Sequence, residues 1–430
     1  MIEKEMVAAP EAGPRQYAWP PLFAILELQF GAGVGFLQTA VPYWLAKEGV
    51  PLDAIATLSG VAFSAHFWKL FWVVLVDLGP WRRIWYAAGC FGTAGLAVAC
   101  SVIDEPAKHL PAYTILLFAL QACCSTAHAA VNGLMAITTR LEDKGRTAGW
   151  QMAGNVGSTS LLGALPITIA GVWSRQAAGV LLAAIVLASG VAVFWVKEPK
   201  EVMSPAASFL RMAVNRVKEI ALDLFHTIFS RTGIVLLVLC LAPVSTGALT
   251  NLFSAMAKDF HASENVVALV NGPGMGITGT VGSLIGGFVA DRINRKINYA
   301  LWGGATALCA LGLSLVPFNQ TTYAVGVLAY SLANGCAFAA FAAMVLEVVT
   351  KGAAVTTKYT LFVATSNLAI SYVTQLDGNA SRWTMFAGGG ARGTVLFDAL
   401  ITFAGIGLVV VLFLTVLRRK PPDAGAGRKE

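Results

Sequence analysis

The chain has 430 residues, 57% hydrophobic and only 12% charged, with a mean hydropathy of +0.68. Soluble domains carry about 25% charged residues, so a water-soluble globule is excluded: too few polar side chains exist to cover its surface, and a lipid bilayer removes that need. The net charge of +7 does not point to nucleic acid, because the basic residues fall in short turns between apolar runs.

A polar tail, residues 1–17, precedes an apolar run too long for the core of a cleaved signal peptide. A membrane-crossing helix needs roughly 20 mostly apolar residues. Six such segments follow at 18–45, 53–78, 84–103, 110–139, 147–171 and 174–196. The longest polar stretch comes next, 197–231, beginning Lys197-Glu198-Pro199-Lys200-Glu201. Within it Phe209, Met212, Val217, Ile220 and Leu224 share one helical face, with Arg211, Arg216, Lys218 and Glu219 elsewhere. This is either a helix lying on the membrane surface or a solvated linker. Six more segments occupy 232–257, 264–290, 297–317, 321–349, 356–377 and 391–417, and a basic tail, 418–430, ends the chain. The expected fold class is therefore all-α: a polytopic membrane protein with twelve transmembrane helices in two six-helix bundles, 18–196 and 232–417.

With an even number of spans, twenty-three of the 30 Lys and Arg fall on the side that holds both termini, six fall on the other, and Lys69 lies within a span. The positive-inside rule then makes both termini cytoplasmic, in a plasma (inner) membrane. The halves repeat. Ala46-Lys47-Glu48 and Asp53 stand 211 residues before Ala257-Lys258-Asp259 and Glu264, and Asp77 stands 214 before Asp291. A six-span duplication is a transporter trait, with the solute site expected near the midplane between the repeats.

Ionisable residues within spans are costly against lipid and mark candidate sites. These are Glu27 in span 1, His66 and Lys69 in span 2, and His128 in span 4. Polar stripes at helical spacing accompany them: Gln121, Ser125, His128 and Asn132; Gln151, Asn155 and Ser158; Asn367, Ser371 and Thr374. With Gln38 of span 1, they are expected to line a water-filled cavity. Glu27 and Lys69 lie at one depth on consecutive spans, so a buried Glu27–Lys69 ion pair is expected, with Lys69–Asp77 as the alternative. The seven cysteines fall within spans, without metal-ligand spacing or a disulfide pattern. Gly274-Met-Gly276-Ile-Thr-Gly279 matches a dinucleotide fingerprint but lies inside an apolar span, where small residues serve helix packing. No metal, cofactor or catalytic group is expected, and the chain does not read as an enzyme. A channel filter and a soluble signalling domain are not visible either, although a non-transporting sensor remains a reading of another class.

The segment Gly287-Phe-Val-Ala-Asp291-Arg292-Ile-Asn294-Arg295-Lys296 resembles the loop signature of major facilitator transporters, with Asn294 where Gly is usual. Asn tolerates positive φ, so the sharp turn stays feasible. The first-half copy, Asp77-Leu-Gly79-Pro-Trp-Arg82-Arg83, has Val73 in place of the leading Gly. Phe67-Trp68-Lys69-Leu70-Phe71-Trp72 and Lys358-Tyr359-Thr360-Leu361-Phe362 resemble stretches of the peptide, acetyl-coenzyme A and drug transporter subgroup, which includes the muropeptide permeases. That resemblance implies alternating access, a cavity lined by spans 1, 4, 7 and 10, and proton-coupled uptake of a small polar or amphiphilic solute, with efflux antiport as the alternative. It also implies gating loops at Asp77, Arg82, Arg83, Gly287, Asp291, Arg292, Arg295 and Lys296, with the two aspartates at the N-termini of spans 11 and 5. The implied partners are the solute, a proton and the bilayer, with no nucleic acid and a functional monomer.

Overall fold

The computed structural model describes residues 17–50, 52–78, 81–198, 209–350, 352 and 354–417. The N-terminal tail before Tyr17, Pro199-Lys200-Glu201 and the tail from 418 lie outside the described residues, as do the side chains of Asp53, Phe209, Arg211, Met212, Arg216 and Glu264. Twelve helical spans alternate in direction and form two six-helix bundles. Span 1 comprises Leu22–Gly35, a π-turn Phe36–Ala40 and Val41–Lys47. Span 2 comprises Leu52–Phe63, Ala65–Trp72 and Val74–Leu78. Spans 3 to 6 are Arg82–Val102, Leu110–Thr138, Lys144–Val172 and Arg175–Val191. Span 7 is Arg231–Leu241 with the short turns Ala248–Asn251 and Phe253–Met256, and span 8 is Glu264–Leu269, a π-turn Val270–Gly274 and Met275–Ala290. Spans 9 to 12 are Arg295–Leu315, Gln320–Val349, Val355–Ala380 and Gly390–Leu417.

Eight of these helices are each long and apolar enough to cross a membrane unaided. Of the other four, spans 7 and 11 have clear local causes. Span 7 breaks at Ala242, ahead of Pro243, which has no N–H to continue the ladder. Ser245 and Gly247 then take left-handed φ of 56° and 68°, and a Cβ on Gly247 would meet the Asn334 amide at 2.5 Å. Span 11 spans 26 residues but carries Lys358, Asp377 and the Asn367 stripe.

The duplication is visible as packing. Span 1 packs on span 5, span 3 on spans 4 and 6, and their counterparts 7 on 11 and 9 on 10 and 12 do the same. Across the bundle interface span 5 meets spans 8 and 10, and span 11 meets spans 2 and 4, as a pseudo-two-fold axis requires. The repeated acid after span 1 or 7 also keeps its place. Glu48 bonds Arg175 at the start of span 6, and Asp259 accepts from the Ala391 N–H at the start of span 12, at 3.0 Å. Apolar side chains that would be a liability in water, such as Phe71 at 73% and Phe91 at 68% exposure, face outward from the bundles, where lipid covers them.

Of the two readings open for the central segment the helical one holds, and one expectation, at Asn294, changes. The central segment forms a helix, Phe209–Phe229, set at 73° to the first part of span 7, so it lies across the bundle end instead of forming a plain linker. Ile220 is its buried contact, whereas Val217 is exposed, and Asp223 accepts from the Ala354 N–H at 2.8 Å and pairs with Lys358 at 3.1 Å. Asn294 does not take positive φ. At φ −56° it is the N-cap of span 9, its side chain accepting from the N–H groups of Lys296 and Ile297, a role glycine cannot fill.

Candidate functional site

The polar residues of the first bundle converge on Glu27. Its carboxylate is fully buried and accepts from His128 Nδ1 at 2.9 Å, Gln151 Nε2 at 2.7 Å and Asn155 Nδ2 at 3.3 Å. Gln151 Nε2 also lies 3.3 Å from Asn132 Oδ1. Spans 1, 4 and 5 thus each contribute one side of a single network, and helical spacing aims Gln151 and Asn155 at the same carboxylate. A second string runs beside it. Gln121 Nε2 donates to the Gly33 carbonyl at 2.8 Å, which leaves Gln121 Oε1 to accept from His66 Nε2 at 2.8 Å. The Phe30 ring separates the strings, 4.1 Å from the His128 ring and 5.4 Å from that of His66, centroid to centroid.

Lys69 is 3% exposed. Among the described residues no ion pair joins it to Glu27 or to Asp77, so both pairings expected from the sequence are corrected. The reasons are geometric: Glu27 is already held by His128, and Asp77 by Arg82 at 2.9 Å. Lys69 stays near enough to Glu27 to feel its charge, but among the described residues its ammonium has no carboxylate partner. Gln38 and Asn367 are exposed and outside this network. Among the described residues three buried groups not assigned to the cavity from sequence lack hydrogen-bond partners: the Gln29 amide at both atoms, Tyr359 Oη and Thr360 Oγ1. Tyr359, within the electrostatic reach of Glu27, is the second bundle's approach to the site. It belongs to the Lys358-Tyr359-Thr360-Leu361-Phe362 stretch, which the sequence marked by resemblance without assigning it to the cavity.

One end of the bundle interface is tied shut. Asp291, just past span 8, accepts from the N–H groups of Gly145 at 2.6 Å and Arg146 at 2.8 Å, in the first turn of span 5. Asp77, at the end of span 2, accepts from the N–H groups of Thr356 at 3.1 Å and Thr357 at 2.7 Å, in the first turn of span 11. Unpaired N–H groups and the helix dipole favour a carboxylate in both places. Burial pushes the Asp291 carboxyl up from its ordinary range, against the N–H donors of Arg146 and Gly145 and the nearby guanidinium groups. Arg82 adds a bond to Thr356 Oγ1 at 3.0 Å and a pair with Glu198 at 3.2 Å. Glu198 also accepts from the Arg83 N–H at 3.4 Å. Arg295 bonds the Leu141 carbonyl at 2.7 Å, and Lys144 the Leu346 carbonyl at 2.7 Å. Gly287 has a steric role: a Cβ there would sit 2.5 Å from the Gly145 carbonyl and 2.6 Å from Gly149 Cα. Arg292 and Lys296 take no part in this crossing. Arg292 folds back on the Phe288 carbonyl and ring, and Lys296 is half-buried with its N–H on the Asn294 side chain. Among the described residues all hydrogen bonds between bundles lie at this end, save Thr280 to the Ala153 carbonyl at 3.4 Å.

A profile described as "Major Facilitator Superfamily" matches residues 23–374. The crystal structure of a variant of the Escherichia coli fucose:proton symporter FucP is similar, with a TM-score of 0.67 at 12% identity, covering 91% of this chain and 98% of that one. So is the proton:xylose symporter XylE bound to 6-bromo-6-deoxy-D-glucose, with a TM-score of 0.65 at 14% identity, covering 92% and 95%. No curated protein matches the chain.

Proposed function

The chain belongs to the major facilitator superfamily, a multi-pass membrane transporter, and from that premise we propose that it is a proton-coupled symporter for a small polar or amphiphilic solute bearing an acidic group. The observation that carries this reading is a fully buried, His-bonded Glu27 near a buried Lys69 that has no carboxylate partner among the described residues. A carboxylate–imidazole pair can accept and release a proton within a protein-tuned environment. An unpaired buried ammonium is expensive, and an anionic group on the solute offsets that cost. The acidic solute thus differs in charge from the sugars named for the two structural neighbours, while the muropeptide-permease resemblance around Lys69 and Lys358 favours the same choice.

In this reading the tied end is cytoplasmic, the protein works as a monomer, and solute enters from the opposite side. Asp291 and Asp77 hold the bundles together until binding at Glu27 and Lys69 lets them rock. The reaction is transport alone, so the chain is read as no enzyme. The test is reconstitution in proteoliposomes, with uptake of labelled solute and internal acidification recorded on a panel of neutral sugars, amino acids and carboxylated muropeptide fragments. Accumulation driven by an inward proton gradient is expected only with the acidic solutes, and Glu27→Gln should lose it while retaining solute exchange. Solute uptake indifferent to the proton gradient would overturn the reading.

A further inference from the structure

The second bundle holds a pair of acids that the site around Glu27 does not use. Asp377 lies in the last turns of span 11 and Asp398 in the first half of span 12. They are 0% and 1% exposed, and their carboxyls lie within hydrogen-bonding reach of one another. The groups that face them are otherwise uncharged. Span 10 presents the Tyr330 hydroxyl, 3.5 Å from Asp398 Oδ2. Span 9 presents Cys309 next to Tyr330, and span 7 the backbone at Leu249. Three residues before Asp377, Thr374 is held by Asn251 of span 7 at 3.2 Å. Among the described residues neither acid forms an ion pair with Lys, Arg or His. Both oxygens of Asp377 and Oδ1 of Asp398 are buried with no hydrogen-bond partner.

We infer that Asp377 and Asp398 form a proton-binding site of the second bundle, separate from Glu27, in which one proton is held between the two carboxyls. Two facing carboxylates without a counter-ion cannot both stay ionised in a buried place. One proton replaces that repulsion with an O–H···O⁻ bond, among the strongest hydrogen bonds available, and satisfies an orphaned oxygen on each residue. A metal ion fits poorly. Hard cations take about six or more oxygens, and beyond the two carboxyls the facing groups add one phenol. The pair bridges spans 11 and 12 behind the broken part of span 7, so gain of the proton draws these spans together and its loss drives them apart. The inference does not depend on the role given to Glu27.

The experiment uses the purified full-length protein. Infrared spectra at neutral pH are expected to show the carbonyl stretch of a protonated carboxyl, retained in Glu27→Gln and lost in both Asp377→Asn and Asp398→Asn, whose amides donate where the O–H did. The fold holds the proton-bound form, so its stabilisation is full at low pH and fades as pH rises. The melting temperature should therefore fall from neutral to mildly alkaline pH in the wild type, and this slope should flatten in either Asn variant. No protonated-carboxyl band in the wild type, or a band unchanged in both variants, overturns the inference. So does sodium-specific stabilisation at fixed pH and ionic strength that the Asn variants lose, which would make the pair a metal site. If both variants fail to fold, the band in the Glu27→Gln protein decides.

Discussion

Among the described residues each buried charge in the first bundle has a partner except Lys69, and that asymmetry sets two expectations at the scale of single residues. Glu27 and His128 are in contact at 2.9 Å, so a double-mutant cycle between Glu27→Gln and His128→Ala should return coupling of about 0.5–3 kcal/mol, the range for contacting residues. The cycle with Lys69→Met should return less. Chemical denaturation of the detergent-solubilised protein measures both, and larger coupling to position 69 would contradict the geometry. Lys69→Met should also raise the melting temperature, because an ammonium without a carboxylate partner is costly to bury, while uptake of acidic solutes is lost. A lower melting temperature in Lys69→Met would mean that Lys69 has a structural partner. The sequence showed that Glu27, His128, Gln151 and Asn155 point inward, because polar residues at helical spacing have nowhere else to go in lipid. It did not show which of His128 and Lys69 reaches Glu27. Equal depth on neighbouring spans is compatible with either, and rotation of span 2 about its axis decides.

At the scale of elements, the latch depends on how closely spans 5 and 8 approach. Gly145, Gly149 and Gly287 bring backbone against backbone there, and Gly287 points at the Gly145 carbonyl. Gly287→Ala must separate the spans, at about 1–3 kcal/mol for overpacking, and should pull Asp291 off the N-terminus of span 5. Asp291→Asn removes the charge while keeping the spacing. Both variants should increase the labelling of cysteines placed below Glu27 from the tied end. Gly304→Ala, with nothing within 4 Å of the added Cβ, serves as the control and should leave labelling unchanged. Equal labelling in all three proteins would remove the latch. The first-half copy has Val73, 1% exposed, where the second has Gly287, so spans 2 and 11 meet without the glycine-on-glycine contact that joins spans 8 and 5. The motif predicted the aspartates at the helix N-termini from resemblance, but the capping role of Asn294 needed the backbone angles, since asparagine suits both a left-handed turn and an N-cap.

At the scale of the whole molecule, we propose from the asymmetry of Lys and Arg that both termini and the tied end are cytoplasmic. Cysteines at 82–83, 142–145 and 292–296, in a background without the native ones, should be shielded from a membrane-impermeant thiol reagent in whole cells. Those at 105–108 and 379–382 should react. Labelling of the 292–296 turn from outside would reverse the assignment of the tied end to the cytoplasm.

The sequence by itself determined that this chain lives in a bilayer, that it is helical throughout, and that its halves repeat. These follow from composition, from runs near 20 residues and from matched positions, all of them local or one-dimensional properties. It also marked Glu27, His66, Lys69 and His128 as internal, because an ionisable side chain in lipid is too costly to be incidental. Only the tertiary structure decided that Glu27 takes His128, that Lys69 stands without a carboxylate partner, that Tyr359 approaches from the other bundle, and that Asp377 meets Asp398. Each of those is set by helix rotation, by the break in span 7 or by packing across the interface, and a 3.6-residue period fixes which residues share a face without fixing what that face meets.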